Sequence, residues 1–263
     1  MSTTTTYTLE ANALSIGYTH KNEITTIAEN LSFQLQKGEL IGLVGANGMG
    51  KSTLLKTLCG MIPSLGGVVT FNGKQLKNYT EQNLAKELSI VLTGAIPPSN
   101  LTVSEIIALG RQPYTNWIGS LSKQDKAKVI EVIDLLKLSS LKHKKSYELS
   151  DGQLQKVLLG RALAQDTSVI VLDEPTTHLD IYHKAYILKL LKEVAHTTQK
   201  TILFSTHEID LAIQLCDQMM ILTKDNFTVD QPCNLISKGS FNDLFPKDLI
   251  HFDQTTGSFR VHK

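Results

Sequence analysis

The stretch LIGLVGANGMGKSTLLKTLCG, residues 40–60, decides the fold. It opens on a short apolar run, Leu40–Val44, which reads as a buried strand. It closes on STLLKTL, which reads as a helix. Between them Gly45-Ala46-Asn47-Gly48-Met49-Gly50-Lys51-Ser52-Thr53 fits G-x-x-x-x-G-K-[ST] at every fixed position. A glycine-rich turn between a strand and a helix lets backbone N–H groups wrap around phosphates. The helix N-terminus favours their negative charge. Lys51 reaches the outer phosphates, and Ser52 offers a hydroxyl to a phosphate-bound Mg²⁺. Gly45, Asn47, Gly48, Gly50, Lys51, Ser52 and Thr53 are therefore candidate phosphate-cradling residues.

A second strand carries acid. Val169-Ile170-Val171-Leu172 is followed directly by Asp173-Glu174. A buried parallel strand delivers such residues to its carboxyl edge, where open α/β sheets bind ligands. Alone, an acidic pair after a strand is more often a helix cap or a solvated turn. With the phosphate loop upstream, Asp173 becomes a metal ligand, and Glu174 becomes a general base that polarises water.

Outward from these two motifs, residues 9–16 and 27–35 alternate loosely and suit strands. GGVVTF, ending at Phe71, reads as another strand, with Asn72-Gly73 as a tight turn after it. Residues 101–161 are helical in pattern; Val129, Ile133 and Leu136 fall on one helix face. Pro97, Pro98 and Pro113 interrupt the approach to this block. TILFSTH, residues 201–207, returns to a strand. Strands alternating with helices give an α/β fold with a mostly parallel sheet. The expected layout is a core of 1–92 and 162–225, an inserted helical block of 93–161, and an appendage of 226–263.

Composition is consistent with one globular unit of 263 residues: 41% of residues are hydrophobic and 19% charged. A net charge of +1 argues against a nucleic-acid-binding surface. The three cysteines lie far apart and suggest neither a metal site nor a disulfide framework. The polar, Thr-rich start is not expected to be a signal peptide. The apolar runs fall well short of the roughly 20 residues that span a bilayer.

Leu149-Ser150-Asp151-Gly152-Gln153 opens a helix shortly before the acidic strand. Locally it is an N-cap serine with a turn glycine. In this company it resembles the LSGGQ signature of ABC ATPases, and the motif order resembles that family along nearly the whole chain. The resemblance implies a P-loop NTPase, RecA-like core with an N-terminal antiparallel β part and an inserted α-helical subdomain. It implies ATP and Mg²⁺ as ligands, and ATP hydrolysis. By the same resemblance Tyr18 stacks on adenine, Thr177-His178-Leu179-Asp180 is the D-loop, and His207 is the switch histidine at the γ-phosphate. Lys51, Glu174 and His207 are the catalytic residues; Ser150, Gly152 and Gln153 contact nucleotide; Ser52, Asp173 and Thr93 attend the metal. The family works as head-to-tail dimers, so a homodimer is expected.

Two positions depart from the family pattern. Asp151 stands where glycine is commonest, so its carboxylate should point away from phosphate. Thr93 stands where a glutamine usually touches Mg²⁺, and it is expected to reach the metal through a water.

The stretch LTVSEIIALGR, residues 101–111, with Pro113 and Tyr114, resembles the branch that energises import of ferric siderophores, haem and cobalamin. That branch implies integral membrane permease subunits, a separate substrate-binding protein, and a place at the cytoplasmic face of the membrane. Residues 93–120, with Tyr114 and Trp117, form the expected permease contact. Two alternatives stand beside it: import of another cargo, such as a divalent metal, and a non-transport ABC protein. The latter typically carries tandem cassettes, zinc-binding cysteines or basic patches, and none is visible.

Overall fold

A computed structural model describes residues 7–21, 23–92, 99–246 and 248–261. In chain order its strands and helices are β1 (Tyr7–His20), β2 (Glu23–Gln36), β3 (Leu40–Val44), α1 (Lys51–Leu58), β4 (Gly66–Phe71), β5 (Lys74–Gln75), α2 (Glu81–Leu84) and β6 (Leu88–Val91). There follow α3 (Val103–Ala108), α4 (Lys123–Leu135), α5 (Asp151–Ala164), β7 (Val169–Leu172), α6 (Ile181–Thr198), β8 (Thr201–Ser205), α7 (Ile209–Leu215) and β9 (Gln218–Leu222). The chain ends on β10 (Phe227–Asp230), α8 (Pro232–Ser237), β11 (Ile250–Asp253) and β12 (Ser258–Val261).

The central sheet runs β10-β9-β3-β8-β7-β6. All its neighbours pair in parallel except β10, which adds antiparallel to β9. Apart from the edge strand β10, its strands are mostly buried on both faces, and the period of two sorts their side chains between two cores. Leu40, Ile170, Leu172, Ile202, Phe204, Met219 and Ile221 face the core shared with α6, α7 and the helical block. Ile41, Leu43, Val169, Val171, Leu203 and Met220 face the core shared with α1 and the N-terminal strands. Those strands form a separate antiparallel sheet, β2-β1-β4-β5.

β1 and β2 are longer than the alternation at 9–16 and 27–35 predicts, because they pair as far as His20 with Glu23. Asn72 and Gly73 both have positive φ, 48° and 78°, as a two-residue hairpin turn between β4 and β5 requires. The structure also differs at the C-terminus: β10, expected in an appendage, is an edge strand of the central sheet. Beyond it Phe241 stacks on Phe252 with centroids 4.8 Å apart, and Phe259 meets Phe252 edge-on. Those rings join the same core as α6 and α7, so α8, β11 and β12 are packed in.

The helical block is held by more than its apolar face. Val129, Ile133 and Leu136 are buried as expected. Gly110 lies so close to α5 that a Cβ there would stand 2.1 Å from the Arg161 carbonyl oxygen. Next to it Arg111 is buried; its Nε donates to Asp125 at 2.9 Å and its Nη1 to the Ala164 carbonyl at 2.7 Å. The guanidinium also lies 4.0 Å from the centre of the Tyr114 ring. The Gly-Arg pair of the branch-like stretch is thus interior. Its exposed neighbours are Leu109, Trp117 and Ile118, with Trp117 94% exposed.

Candidate functional site

The phosphate loop leaves β3 and turns into α1 through two glycines in the left-handed region, Gly48 at φ +79° and Gly50 at φ +97°. A Cβ on Gly48 would point into open space, so only backbone lines that part of the loop. α1 begins after Gly50 with no side-chain cap, which leaves its first N–H groups for a ligand. Lys51 is only 6% exposed. Its ammonium donates to the Gly45 carbonyl at 2.8 Å and to the Ala46 carbonyl at 3.3 Å. Burial lowers its pKa, and the carboxylates of Glu174 and Asp173 oppose that shift. A cation placed this way is partly desolvated beneath a loop of N–H groups, ready to exchange carbonyl partners for phosphate oxygens.

Asp173 and Glu174 stand at the end of β7, as expected. The Asp173 Oδ1 accepts from Ser52 Oγ at 3.2 Å and from Ser205 Oγ at 2.6 Å. Among the described residues no three His, Cys, Asp or Glu side chains form a metal cage. Ser52 and Asp173 instead bring two hard oxygens together. That partial set suits a cation such as Mg²⁺, which takes one or two protein oxygens and completes its shell with water and substrate phosphates.

Glu174 adopts φ 47°, a left-handed conformation uncommon outside glycine, asparagine and aspartate. Its backbone N–H donates to Ser205 Oγ at 2.9 Å, and its carbonyl accepts from the Thr177 N–H at 3.2 Å. Strain of this kind persists only where neighbours fix it. The conformation turns the carboxylate towards β8: Oε1 lies 2.8 Å from His207 Nε2, and Oε2 accepts from Thr177 Oγ1 at 3.1 Å. A carboxylate beside an imidazole, next to a second carboxylate that meets a hydroxyl, is an arrangement able to orient a water for attack on a phosphoryl group.

Tyr18 on β1 reaches the same region; its hydroxyl and Thr53 Oγ1 are 2.8 Å apart, and its ring is half exposed. The structure therefore gathers Tyr18, Lys51, Ser52, Thr53, Asp173, Glu174 and His207 around one loop. Ser150, Gly152 and Gln153 sit elsewhere, at the start of α5. There Ser150 and Gln153 form a capping box: Gln153 N–H donates to Ser150 Oγ at 3.4 Å, and Ser150 N–H to Gln153 Oε1 at 3.1 Å. Asp151 is exposed in the first turn, where a carboxylate suits the helix dipole. Thr93 lies outside the described residues. Ser205 was not singled out from sequence, although a hydroxyl ending the buried strand β8 is a usable signal.

The chain is similar to known proteins along most of its length. The family model described as ABC transporter matches residues 28–177. An achromobactin transport ATP-binding protein of Dickeya dadantii is 35% identical over 91% of this chain and 88% of its own. An iron(3+)-hydroxamate import ATP-binding protein of Bacillus subtilis is 34% identical over 82% of this chain and 79% of its own. Among solved structures, one described as an inward-facing metal-chelate type ABC transporter superposes with a TM-score of 0.78. It is 27% identical and covers 97% of this chain and 96% of its own. Among the described residues no helix is long and apolar enough to cross a membrane. The chain belongs to the ABC transporter family and is one of its ATP-binding ATPase subunits.

Proposed function

We propose that this ATPase powers import of a ferric siderophore or a related ferric chelate. The observation that carries the cargo class is the shared description of its relatives across most of the chain, achromobactin and iron(3+)-hydroxamate transport among them. The motor itself never touches cargo. Two copies pair head to tail, so that Ser150, Gly152 and Gln153 of one copy close over phosphates held by residues 45–53 of the other. Tyr18 stacks on the adenine. Ser52 and Asp173 would hold Mg²⁺, which would supply positive charge against the phosphates. Glu174 polarises the attacking water, Lys51 holds the β- and γ-phosphates, and His207 contacts the γ-phosphate. Release of those contacts lets the pair reopen, a ligand-biased two-state element.

The pair works at the cytoplasmic face of the membrane, docked on permease subunits that receive cargo from a separate binding protein. The permease contact is the exposed apolar surface of Leu109, Trp117 and Ile118, with the half-buried Tyr114 at its edge. Cells lacking this gene test the reading when given radiolabelled iron as a panel of ferric chelates. Native chain restores uptake of at least one chelate, and Glu174→Gln does not. Restoration of none, with recovery of cobalamin or divalent-metal uptake instead, removes the iron assignment and leaves the ATPase intact.

A further inference from the structure

His207 lies between β8 and α7, and its aim is set from several directions. On the strand side, the N–H of Thr206 donates to the Leu43 carbonyl at 3.0 Å. In front, the imidazole is held by Glu174. That tie must break during turnover, because the carboxylate has to orient water and the ring nitrogen has to meet the γ-phosphate. Once the ring leaves Glu174, its direction depends on the backbone of residues 206–208.

The helix side supplies a further hold. Glu208 is the N-cap residue of α7, yet its side chain caps no N–H. Its carboxylate pairs instead with the ammonium of Lys184, in the first turn of α6. The two side chains are 23% and 30% exposed, so salt screens the pair less than it would a free surface pair. Neither helix depends on it. α6 is capped by Asp180, which accepts the His183 N–H at 2.8 Å, and it buries Ile187, Leu188 and Leu191. α7 buries Ile209 and Ala212. The same turn of α6 lays the His183 ring against the signature: a Cβ on Gly152 would stand 3.0 Å from it. One helical turn therefore touches the signature and the switch segment together.

We propose that Lys184 is a positioning residue for ATP hydrolysis: through Glu208 it holds the switch segment so that His207 meets the γ-phosphate as it leaves Glu174. The inference rests on the ATPase reading above. Because neither Lys184 nor Glu208 is among the residues gathered around the phosphate loop, loss of the pair acts on the aligned reacting state and not on ATP binding, which separates it from a general packing role.

Steady-state hydrolysis of MgATP by the purified full chain tests it, with Lys184→Met, Glu208→Gln, their double variant, Lys184→Arg, the charge exchange Lys184→Glu with Glu208→Lys, and Glu174→Gln as control. Lys184→Met and Glu208→Gln each lower kcat by about tenfold, short of the ~10²-fold cost of gross misplacement, with KM for ATP within about twofold. The double variant is no worse than the poorer single, and both Lys184→Arg and the charge exchange recover most of the loss. Rates within about twofold of the native chain, a loss confined to KM, or additive losses with no recovery on exchange would overturn the proposal. Thermal melting of each variant separates misfolding from misalignment, and the exchange keeps the test decisive if Lys184→Met is unstable. If Glu174→Gln turns over as fast as the native chain, the assignment of Glu174 as general base fails, and with it the premise that the ring must leave Glu174. If Glu174→Gln is inactive while the Lys184 variants match the native chain, only the present inference fails.

Discussion

Glu174→Gln lowers kcat for ATP hydrolysis by about 10²–10⁴-fold and leaves ATP affinity within a few-fold. The size follows from what the substitution removes. Glutamine keeps the length of the side chain and an oxygen for the Thr177 hydroxyl, 3.1 Å from the native carboxylate. It loses only the charge that draws a proton from water. In the proposed site Lys51, Ser52 and Asp173 are untouched by the substitution, so binding persists without chemistry. The left-handed backbone at φ 47° is unchanged by an isosteric side chain, because Ser205 fixes it through the backbone N–H. Single-turnover hydrolysis, measured beside nucleotide binding, separates the two effects. A variant that binds ATP more than about tenfold less tightly would show that Glu174 also holds nucleotide, which the geometry gives it no means to do.

Arg111→Met destabilises the fold by about 3–5 kcal/mol, because it leaves the buried Asp125 carboxylate without its countercharge and the Ala164 carbonyl without a donor, although Asp125 Oδ2 still accepts from Ser122. The native guanidinium serves both, at 2.9 and 2.7 Å, with Tyr114 stacked against it. Methionine fills the volume but satisfies neither oxygen. The melting temperature falls by on the order of 10 °C. The pH dependence has a definite sign. The Ser122 hydroxyl first, and then the Ser122 amide and Arg111, hold the Asp125 carboxyl below its ordinary value of 3.8. A depressed folded pKa stabilises the fold above the unfolded value and loses that stabilisation as the pH falls through the folded value. The gap between native chain and Arg111→Met is therefore full above about pH 4 and narrows below it. Melts by circular dichroism at pH 7 and pH 3.5 measure it; a variant equal to the native chain at pH 7 would place Arg111 outside the framework.

Arg111 also shows where sequence reading reaches its edge. ALGR, with Pro113, was legible as a branch-like pattern, and that reading points to a permease-facing surface. In the structure Gly110 and Arg111 turn inward, and the exposed residues are the ones around them. The strand-loop-helix at residues 40–58 and the strand ending at Asp173-Glu174 were legible because each is a short run whose local structure depends on its own neighbours, while His207, after β8, was read only through the family resemblance. The two-residue turn at Asn72-Gly73 was legible for the same reason, since both residues carry the positive φ the hairpin needs. What could not be read depends on contacts between distant segments. Ser205 matters only because β7 and β8 lie side by side, which puts its hydroxyl 2.6 Å from Asp173. The Lys184–Glu208 pair needs α6 and α7 to meet. The C-terminal phenylalanines lack an amphipathic period of their own, and only the packing of Phe241, Phe252 and Phe259 ties them to the core. β10 looked like an appendage because the stretch after Asp225 mixes glycine, proline and short apolar pieces; its place at the sheet edge comes only from pairing with β9.

The central claim is that one copy's loop and another copy's signature share each ATP. Mixing two inactive chains tests it most directly: Lys51→Ala, which spoils the loop, and Ser150→Phe, which spoils the signature. Either variant alone has no intact site. In a mixed pair, the loop of the Ser150→Phe chain meets the signature of the Lys51→Ala chain, and one site is whole. Each variant alone is expected to be inactive, and the mixture to regain MgATP hydrolysis. A mixture as inactive as its parts, in chains shown to pair, would contradict it.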